Sequence, residues 1–306
     1  MRKGMDETMP APPPKRVSPM VAEVRYALHL LTLNKLVLAG IGLAVGLTLL
    51  AIIGPFFVPA NTPNAINFQL GSQSELGNPN IGWAHPLGVD TYGRDTLSLI
   101  ILALGLDMGA AGLVVGIGLV VGVLLGVTAG YIGGKIGEAI MRITDIFLAL
   151  PLFIWALAIA AVLTRSLNSL IIALATFSWP GYTRIIRGQV LVEKGKPYVE
   201  GLQAVGVARW RIMLRHVVPN SIFPLLVQAT LDIGGVILTL AALTFLGVGL
   251  TPLVPELGQM VSNGTTYIQI DPALITIPGL FIVAISLSFN LVGDGLRDVL
   301  DPRLRR

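Results

Sequence analysis

The run Met108-Gly109-Ala110-Ala111-Gly112-Leu113-Val114-Val115-Gly116-Ile117-Gly118-Leu119-Val120-Val121-Gly122-Val123-Leu124-Leu125-Gly126-Val127-Thr128-Ala129-Gly130 carries no charged side chain. As a helix it is long enough to cross a hydrocarbon core of roughly 30 Å. Gly118, Gly122, Gly126 and Gly130 recur at every fourth position, and Gly112 and Gly116 add another pair. That spacing lays small residues along one slowly drifting stripe, where a neighbouring helix can approach closely. The same stripe would also suit the wall of a passage.

Outward from this run lie five more of similar length, near 36–58, 143–164, 168–186, 221–246 and 272–293. The whole chain of 306 residues is 54% hydrophobic and 12% charged, with a mean hydropathy of +0.78. Soluble domains carry about twice that charge fraction. The expectation is an all-α integral membrane protein of six transmembrane helices. A tail over 1–30, where Pro12-Pro13-Pro14 interrupts a polar stretch, precedes a first spanning segment over 31–58. A polar loop follows over 59–95, then a core over 96–297 with five spans and a short C-terminal segment over 298–306. Leu97–Leu106 is apolar as well and suits an interfacial helix leading into the second span. Pro151, Pro180, Pro224 and Pro278 fall within or at the edges of spans, where proline frees a carbonyl and kinks a helix.

Basic residues set the orientation. Of the 21 Lys and Arg, only Arg94 and Arg165 fall on one side of such a six-span arrangement. The remainder cluster before span 1, between spans 2 and 3, between spans 4 and 5, and after span 6. This places both termini in the cytoplasm and 59–95 outside it. The net charge of +4 is thereby accounted for by loops facing anionic lipid heads and gives no reason to expect nucleic acid. The chain has no cysteine, which excludes disulfides and thiol chemistry. His29, His85 and His216 stand far apart with no metal-binding spacing, and no metal site is expected.

The loop between spans 4 and 5 is the most informative polar segment: Lys194-Gly-Lys-Pro-Tyr-Val-Glu200-Gly-Leu-Gln-Ala-Val-Gly206-Val-Ala-Arg-Trp-Arg-Ile-Met-Leu-Arg-His216-Val-Val-Pro-Asn220. Pro197 suits a first helical position, Glu200 places a negative charge in the first turn, and Gly206 suits a left-handed stop. The result is a helix of about nine residues, marginal in water by itself. Either a docking partner or a structural amphipathic loop accounts for it. A second helical stretch over about 208–216 leads to Pro219 and into span 5.

This segment resembles the EAA loop of ABC importer permeases, whose pattern is Glu-Ala-Ala, three residues, Gly, nine residues, Ile, any residue, Leu-Pro. Glu200, Gly206 and Pro219 stand at the required spacing, while Gly201, Leu202 and Val218 depart from it and His216 takes the Ile position. Other segments resemble the peptide and nickel branch in order: His85-Pro86-Leu87-Gly88 with Asp90 and Gly93-Arg94-Asp95, then Ser178-Trp179-Pro180 with Arg187-Gly188-Gln189-Val190-Leu191. Phe245-Leu246-Gly247, Pro255-Glu256-Leu257-Gly258 and Gly293-Asp294-Gly295-Leu296-Arg297-Asp298 complete the series. The likeness runs from about residue 25 to the end and is to the shorter of the two permeases in such importers.

The resemblance implies a type I importer permease of the bacterial or archaeal cytoplasmic membrane, with an EAA loop over 188–220. It implies a second homologous permease making a heterodimer, one or two ABC ATPase subunits, and an extracytoplasmic substrate-binding protein. Tyr198, Glu200, Ala204, Gly206 and Pro219 are then the positions that couple to the ATPase. His85, Asp90, Arg94 and Asp95 are candidates for contact with the binding protein, although a turn with Asp95 capping a helix at Thr96 fits the same residues. No cofactor is expected on this chain. Gly134-Lys135-Ile136 lacks the Ser/Thr and the upstream Gly of a phosphate loop, so ATP and Mg belong to partner subunits. The chain is expected to be a non-catalytic subunit. Di- or oligopeptides lead as substrates, with nickel chelates, glutathione and oligosaccharides as other possibilities. A secondary transporter or channel is the competing class, but no internal repeat of the kind such proteins show is evident.

Charges inside spans are costly and mark cavities or partners. Asp232 lies within span 5, where the peptide branch has a small residue; its usual acid, near 240, is Leu240 here. Asp232, Gln228 and Asn290 are candidates for lining a translocation path and reading a cationic group, with pairing of Asp232 to a neighbouring helix as the alternative. Asp107 lies at or within the start of span 2. Glu138, Arg142 and Asp145 share a helix face and suit an ion cluster, and Asp294 with Arg297 suits an i,i+3 pair.

Overall fold

A computed structural model describes residues 34–59, 62–64 and 85–300. The expected tail over 1–30, most of the loop over 59–95, and His29 lie outside these residues. Among the described residues the chain is helical, with one isolated antiparallel bridge between Val89 and Asp95. Helix α1 (Lys35–Ile53) starts at Asn34, whose side-chain oxygen accepts from the Leu36 and Val37 N–H groups. It continues as a 3-10 turn over Gly54–Phe56.

Helix α2 (Thr96–Tyr131) is a single element of 36 residues, roughly 54 Å long. The expected interfacial helix over Leu97–Leu106 is therefore its first three turns, because no proline breaks the sequence there and the single Gly105 is tolerated within the helix. The expected third span is not one helix. It is α3 (Gly134–Leu148) followed by α4 (Leu152–Val162), bent by 80° at the break. Pro151 has an extended backbone, and its ring lacks the N–H and disfavours helical geometry in Leu150.

The fourth stretch is α5 (Leu167–Lys194), whose final turns carry Arg184, Arg187, Glu193 and Lys194. Next come α6 (Pro197–Ala204), α7 (Arg209–Ile212) and α8 (Val218–Ser221). The chain then forms α9 (Phe223–Phe245), the short α10 (Leu257–Gly264) and α11 (Ala273–Leu300). Four segments among the described residues are long and apolar enough to cross a membrane: Lys35–Phe56, Thr96–Tyr131, Phe223–Phe245 and Ala273–Val299. The α3–α4 pair makes five if counted as one bent span. By this measure the expected six become four or five. α5 is not among them, its charged last turns making it the most polar of the long helices.

The glycine stripe decides how α2 packs. Gly118 faces Ser178, Gly122 faces Tyr182 and Thr183, Gly126 faces Thr183 and Ile186, and Gly130 faces Val190. Each contact joins residue i of α2 to about residue i+60 of α5, so the two helices run parallel and in step. A Cβ at Gly126 would lie 2.5 Å from the Thr183 carbonyl oxygen, and one at Gly130 would lie 2.9 Å from Val190 Cγ1. Ser178 Oγ donates across the seam to the Val114 carbonyl at 3.2 Å. The stripe is thus a helix seam rather than the wall of a passage. Gly112 and Gly116 are different, since a Cβ added at either would meet nothing within 4 Å.

The other spans pack around this pair. α11 lies against α9, α10 and α1, with Gly40 facing Leu291, Gly234 facing Ser286 and Gly293 facing Leu231. Many large apolar side chains remain exposed, among them Leu36, Leu124 and Leu280. In water this would be unfavourable; against lipid tails it costs nothing.

The seam predicts a contrast between glycines of one helix. Gly126→Val should lower stability by about 1–3 kcal/mol through overpacking, read as a lower unfolding temperature in lipid nanodiscs. Gly112→Ala should leave that temperature unchanged.

Candidate functional site

Three groups of predicted residues can be located. The first is the loop after α5. Pro197 occupies the first turn of α6 and Glu200 the same turn, as expected. The helix has eight residues rather than about nine, because Gly206 (φ +81°) reverses the chain. Gly206 N–H donates to Gln203 O at 3.0 Å, and Val207 N–H donates to Leu202 O at 3.1 Å. This paired closure is a Schellman stop, which needs a left-handed residue at its centre.

α6 buries Val199 completely and exposes Tyr198, Glu200, Gly201, Gln203 and Ala204. Beyond its end, Val205 is 84% exposed and Trp210 is 60% exposed. The expected second helix begins as α7, widens into a π turn over Met213–Val217 containing His216, and resumes as α8. Pro219 lies in α8 and has no N–H to give to the preceding turn, which the wider turn accommodates.

Sequence reasoning missed the group that holds α6 in place. Glu193, 5% exposed at the end of α5, accepts from the Tyr198 hydroxyl at 2.7 Å and pairs with Lys196 Nζ at 2.5 Å. Asn220 Nδ2 in turn approaches the Tyr198 oxygen at 3.4 Å. Burial alone would raise the Glu193 carboxyl. The hydrogen bonds from Lys196 and Tyr198 and the Lys196 charge outweigh it and hold the group below the ordinary Glu range. Tyr198 moves up, through burial and then its bond to Glu193. A second tie lies beside the first: Lys194 Nζ donates to the Tyr131 carbonyl at 2.8 Å, and the Tyr131 hydroxyl donates to Arg209 O at 2.9 Å. The ammonium meets the carbonyl end of α2, where its charge suits the helix dipole. A groove of about 420 Å³ opens here, lined by Tyr131, Lys194, Gln203, Arg209, Trp210 and Met213 among others. The only sequence signal for Glu193 is its place among apolar and basic neighbours at a helix end.

The second group surrounds Asp232. Gln228 Nε2 donates to Asp232 Oδ1 at 2.8 Å within α9. Both line a cavity of about 540 Å³ whose other walls include Phe177, Tyr182, Arg184 and Thr239. Asn290 does not line this cavity; it is on α11 and donates to the Ser286 carbonyl of its own helix. Asp145 pairs with Arg184 of α5 at 2.5 Å. Among the described residues no ion pair joins Arg142 to Glu138 or Asp145, nor Asp294 to Arg297. The expected cluster and pair are therefore not formed, since Asp145 reaches across to α5 instead.

The third group, at the start of α2, is a closed turn. Asp95 caps α2 by accepting from Ser98 N–H at 2.8 Å, and His85 Nδ1 lies 3.2 Å from its other oxygen. Asp90 accepts from the Tyr92 and Arg94 N–H groups and from Arg94 Nε. Arg94 is 2% exposed and donates through Nη1 to the Leu253 carbonyl at 2.8 Å. Gly88 and Gly93 turn the chain at φ +75° and +74°. All four residues direct hydrogen bonds into this turn.

The fold is that of a helical protein with several segments apolar enough to cross a membrane and a short, tied helix presented at one end. Residues 122–306 match the family described as binding-protein-dependent transport system inner membrane component. A dipeptide transport system permease protein of Alkalihalophilus pseudofirmus is 36% identical over 297 residues, covering 96% of this chain and 95% of that protein. A glutathione transport system permease protein of Shigella flexneri is 38% identical over 260 residues, covering 85% of this chain and 84% of that protein. The methionine ABC transporter MetNI, solved in inward-facing conformations, shares the fold at TM-score 0.54 and 20% identity, covering 66% of this chain and 97% of that one. The chain belongs to the family of binding-protein-dependent transport system inner membrane components, the type I permeases of ABC importers. It is a multi-pass protein of the cytoplasmic membrane.

The Glu193 tie has a pH signature. Because the folded carboxyl is held low, its stabilisation is complete above the ordinary Glu value of about 4.3 and is lost as pH falls through the lowered one. The absence of cysteine permits a single fluorophore at Gln203→Cys. Its anisotropy should fall on acidification below about pH 4.3, whereas Glu193→Gln should show the mobile value already at neutral pH. Gly201 has open space around it, so Gly201→Ala should firm α6 by up to about 1 kcal/mol and raise the anisotropy.

Proposed function

We propose that this chain is the membrane subunit of an ATP-driven, binding-protein-dependent importer of di- or oligopeptides. It forms half of the translocation pathway beside a second, homologous permease, and it hydrolyses nothing itself. One or two ABC ATPases bind on the side of α6, and a binding protein delivers substrate on the opposite side. In this reading the membrane is crossed six times. The bent α3–α4 pair and α5 supply the third and fourth crossings, and both termini are cytoplasmic, as the sorting of Lys and Arg favours.

The observation that carries this reading is α6 itself. It is too short to persist in water, yet it is tied by Glu193 and Val199 on its inner side and left open through Glu200, Ala204 and Val205 on its outer side. Such an element is rigid toward the spans and free toward a partner. Nucleotide closes the ATPases, α6 moves with them, and its ties to α5 and α8 carry the displacement into the spans. The rearrangement is between discrete packings, and nucleotide biases it only by its differential affinity for the two states.

Peptide as substrate rests on the named relatives that transport dipeptide and glutathione. Asp232 adds a chemical reason. Its carboxylate, steadied by Gln228, lines the cavity of about 540 Å³ and offers a counter-charge to a peptide amino terminus. The turn over His85–Asp95 supports the external face against which the binding protein docks.

Replacing Gly206 by Leu should leave membrane insertion and assembly intact. The left-handed stop would be strained, and ATP hydrolysis should continue without uptake; normal transport by this variant would overturn the coupling assignment. Asp232→Asn should weaken uptake of peptides with a free amino terminus and spare amino-acetylated ones. Equal transport of both substrates at wild-type affinity would remove Asp232 from the path.

A further inference from the structure

At the end of the molecule where α2 begins, two carboxyl groups meet at the start of α10. Glu256 is its N-cap, and Glu256 Oε2 accepts from the Gln259 N–H at 2.6 Å. Asp107 comes from α2, 150 residues away, and its Oδ2 accepts from the Leu257 N–H at 3.2 Å. Both are closed off from solvent, Asp107 being 1% exposed and Glu256 fully buried. The second oxygen of each, Asp107 Oδ1 and Glu256 Oε1, is buried without a hydrogen-bond partner among the described residues.

Among the described residues no cation acts on either carboxyl. The influences on Asp107 are burial, the Glu256 charge and the Leu257 N–H; those on Glu256 are burial, the Thr244 hydroxyl and the N–H groups of Gln259 and Gly258. The described elements packed around the pair contribute no basic group to it. α9 presents the Thr244 hydroxyl, α10 itself presents Gln259, and Asp271 before α11 is engaged with the Ala273 N–H. Arg94, in the turn before α2, bonds to Asp90 and to the Leu253 carbonyl. Space is also closed: a Cβ at Gly258 would lie 2.5 Å from Ala241 Cα, so the start of α10 is pressed against α9.

Two ionised carboxylates cannot share such a place. A helix start offers partial positive charge equivalent to about half an elementary charge, enough to favour one anion. A second, desolvated and facing the first, has nothing to offset it, and one of the two must stay neutral. Burial pushes Glu256 above the ordinary carboxyl range, in line with this. We infer that Asp107 and Glu256 form a proton-binding site in which one shared proton latches α10 onto α2. The proton belongs to the pair rather than to either residue. With the proton in place, one carboxyl is a neutral acid and the other an anion held by the α10 N–H groups. Without it, two like charges face each other in a dry site, and the contact between α10 and α2 opens.

The sign of the pH dependence follows from the neutral form being favoured in the folded protein. The latch is fully formed below the ordinary carboxyl range and is lost as pH rises through the raised value of Glu256. The test uses the assembled importer in lipid nanodiscs. At neutral pH, infrared spectra should show the carbonyl band of a buried, protonated carboxyl, and Asp107→Asn or Glu256→Gln should abolish it. The wild-type unfolding temperature should fall as pH rises above the ordinary carboxyl range, and the fall should be flatter in Asp107→Asn, whose amide stands in for the neutral acid. Absence of the protonated band from the wild type would overturn the proposal, and this reading does not depend on any variant folding. So would a rise in wild-type unfolding temperature with sodium or calcium at fixed pH that Asp107→Asn lacks, since a metal cation would then hold the pair.

Discussion

The arrangement hangs on the contact between α2 and α5, two parallel helices brought close because one of them has hydrogen where a side chain would be. Gly118, Gly122, Gly126 and Gly130 meet Ser178, Tyr182, Ile186 and Val190 at a constant offset. In lipid there is no hydrophobic drive to bring apolar helices together, so close packing and occasional polar contacts must do it. The seam supplies both, through the glycine stripe and the Ser178 bond to Val114. It also ties the two ends of the molecule: the helix that begins beside the turn over His85–Asp95 is packed against the helix that ends beside α6.

That connection explains why the loop after α5 is organised as it is. The final turn of α5 carries Glu193 and Lys194 on adjacent positions. Glu193 faces Tyr198 and Lys196, while Lys194 faces the last carbonyl of α2. One helix end thus holds both the short helix α6 and its own neighbour across the seam. The paired stop at Gly206 then limits α6 to eight residues. A helix so short would melt alone, and here the buried Val199 and the Glu193 bonds replace the length it lacks.

Charge inside the protein follows the same logic. Asp232 is steadied by Gln228 beside a cavity, and Asp107 reaches the start of α10. Each of these carboxyl groups accepts a hydrogen bond from an identifiable donor, as the cost of isolating it in a low dielectric demands. The exposed apolar side chains on the outer faces of the helices need no such partner, since lipid tails solvate them.

Much of this was determined by local chemistry and could be read from the sequence. Length and apolarity define helices that cross a membrane, Pro197 and Gly206 bracket a short helix, Asp95 caps α2, and a four-residue glycine spacing announces a tight seam. These features depend on residues adjacent in the chain or one turn apart, and such relations are written in order. The tertiary structure alone decided which residues meet across long separations. It paired Asp145 with Arg184 and not with Arg142, brought Asp107 to Glu256, left Asn290 away from the Asp232 cavity, and folded the third apolar run through 80°. The physical reason is that a carboxylate accepts any donor that packing delivers. Which donor arrives depends on how whole helices rotate and slide against one another, a sum over many weak contacts that no short stretch of sequence contains.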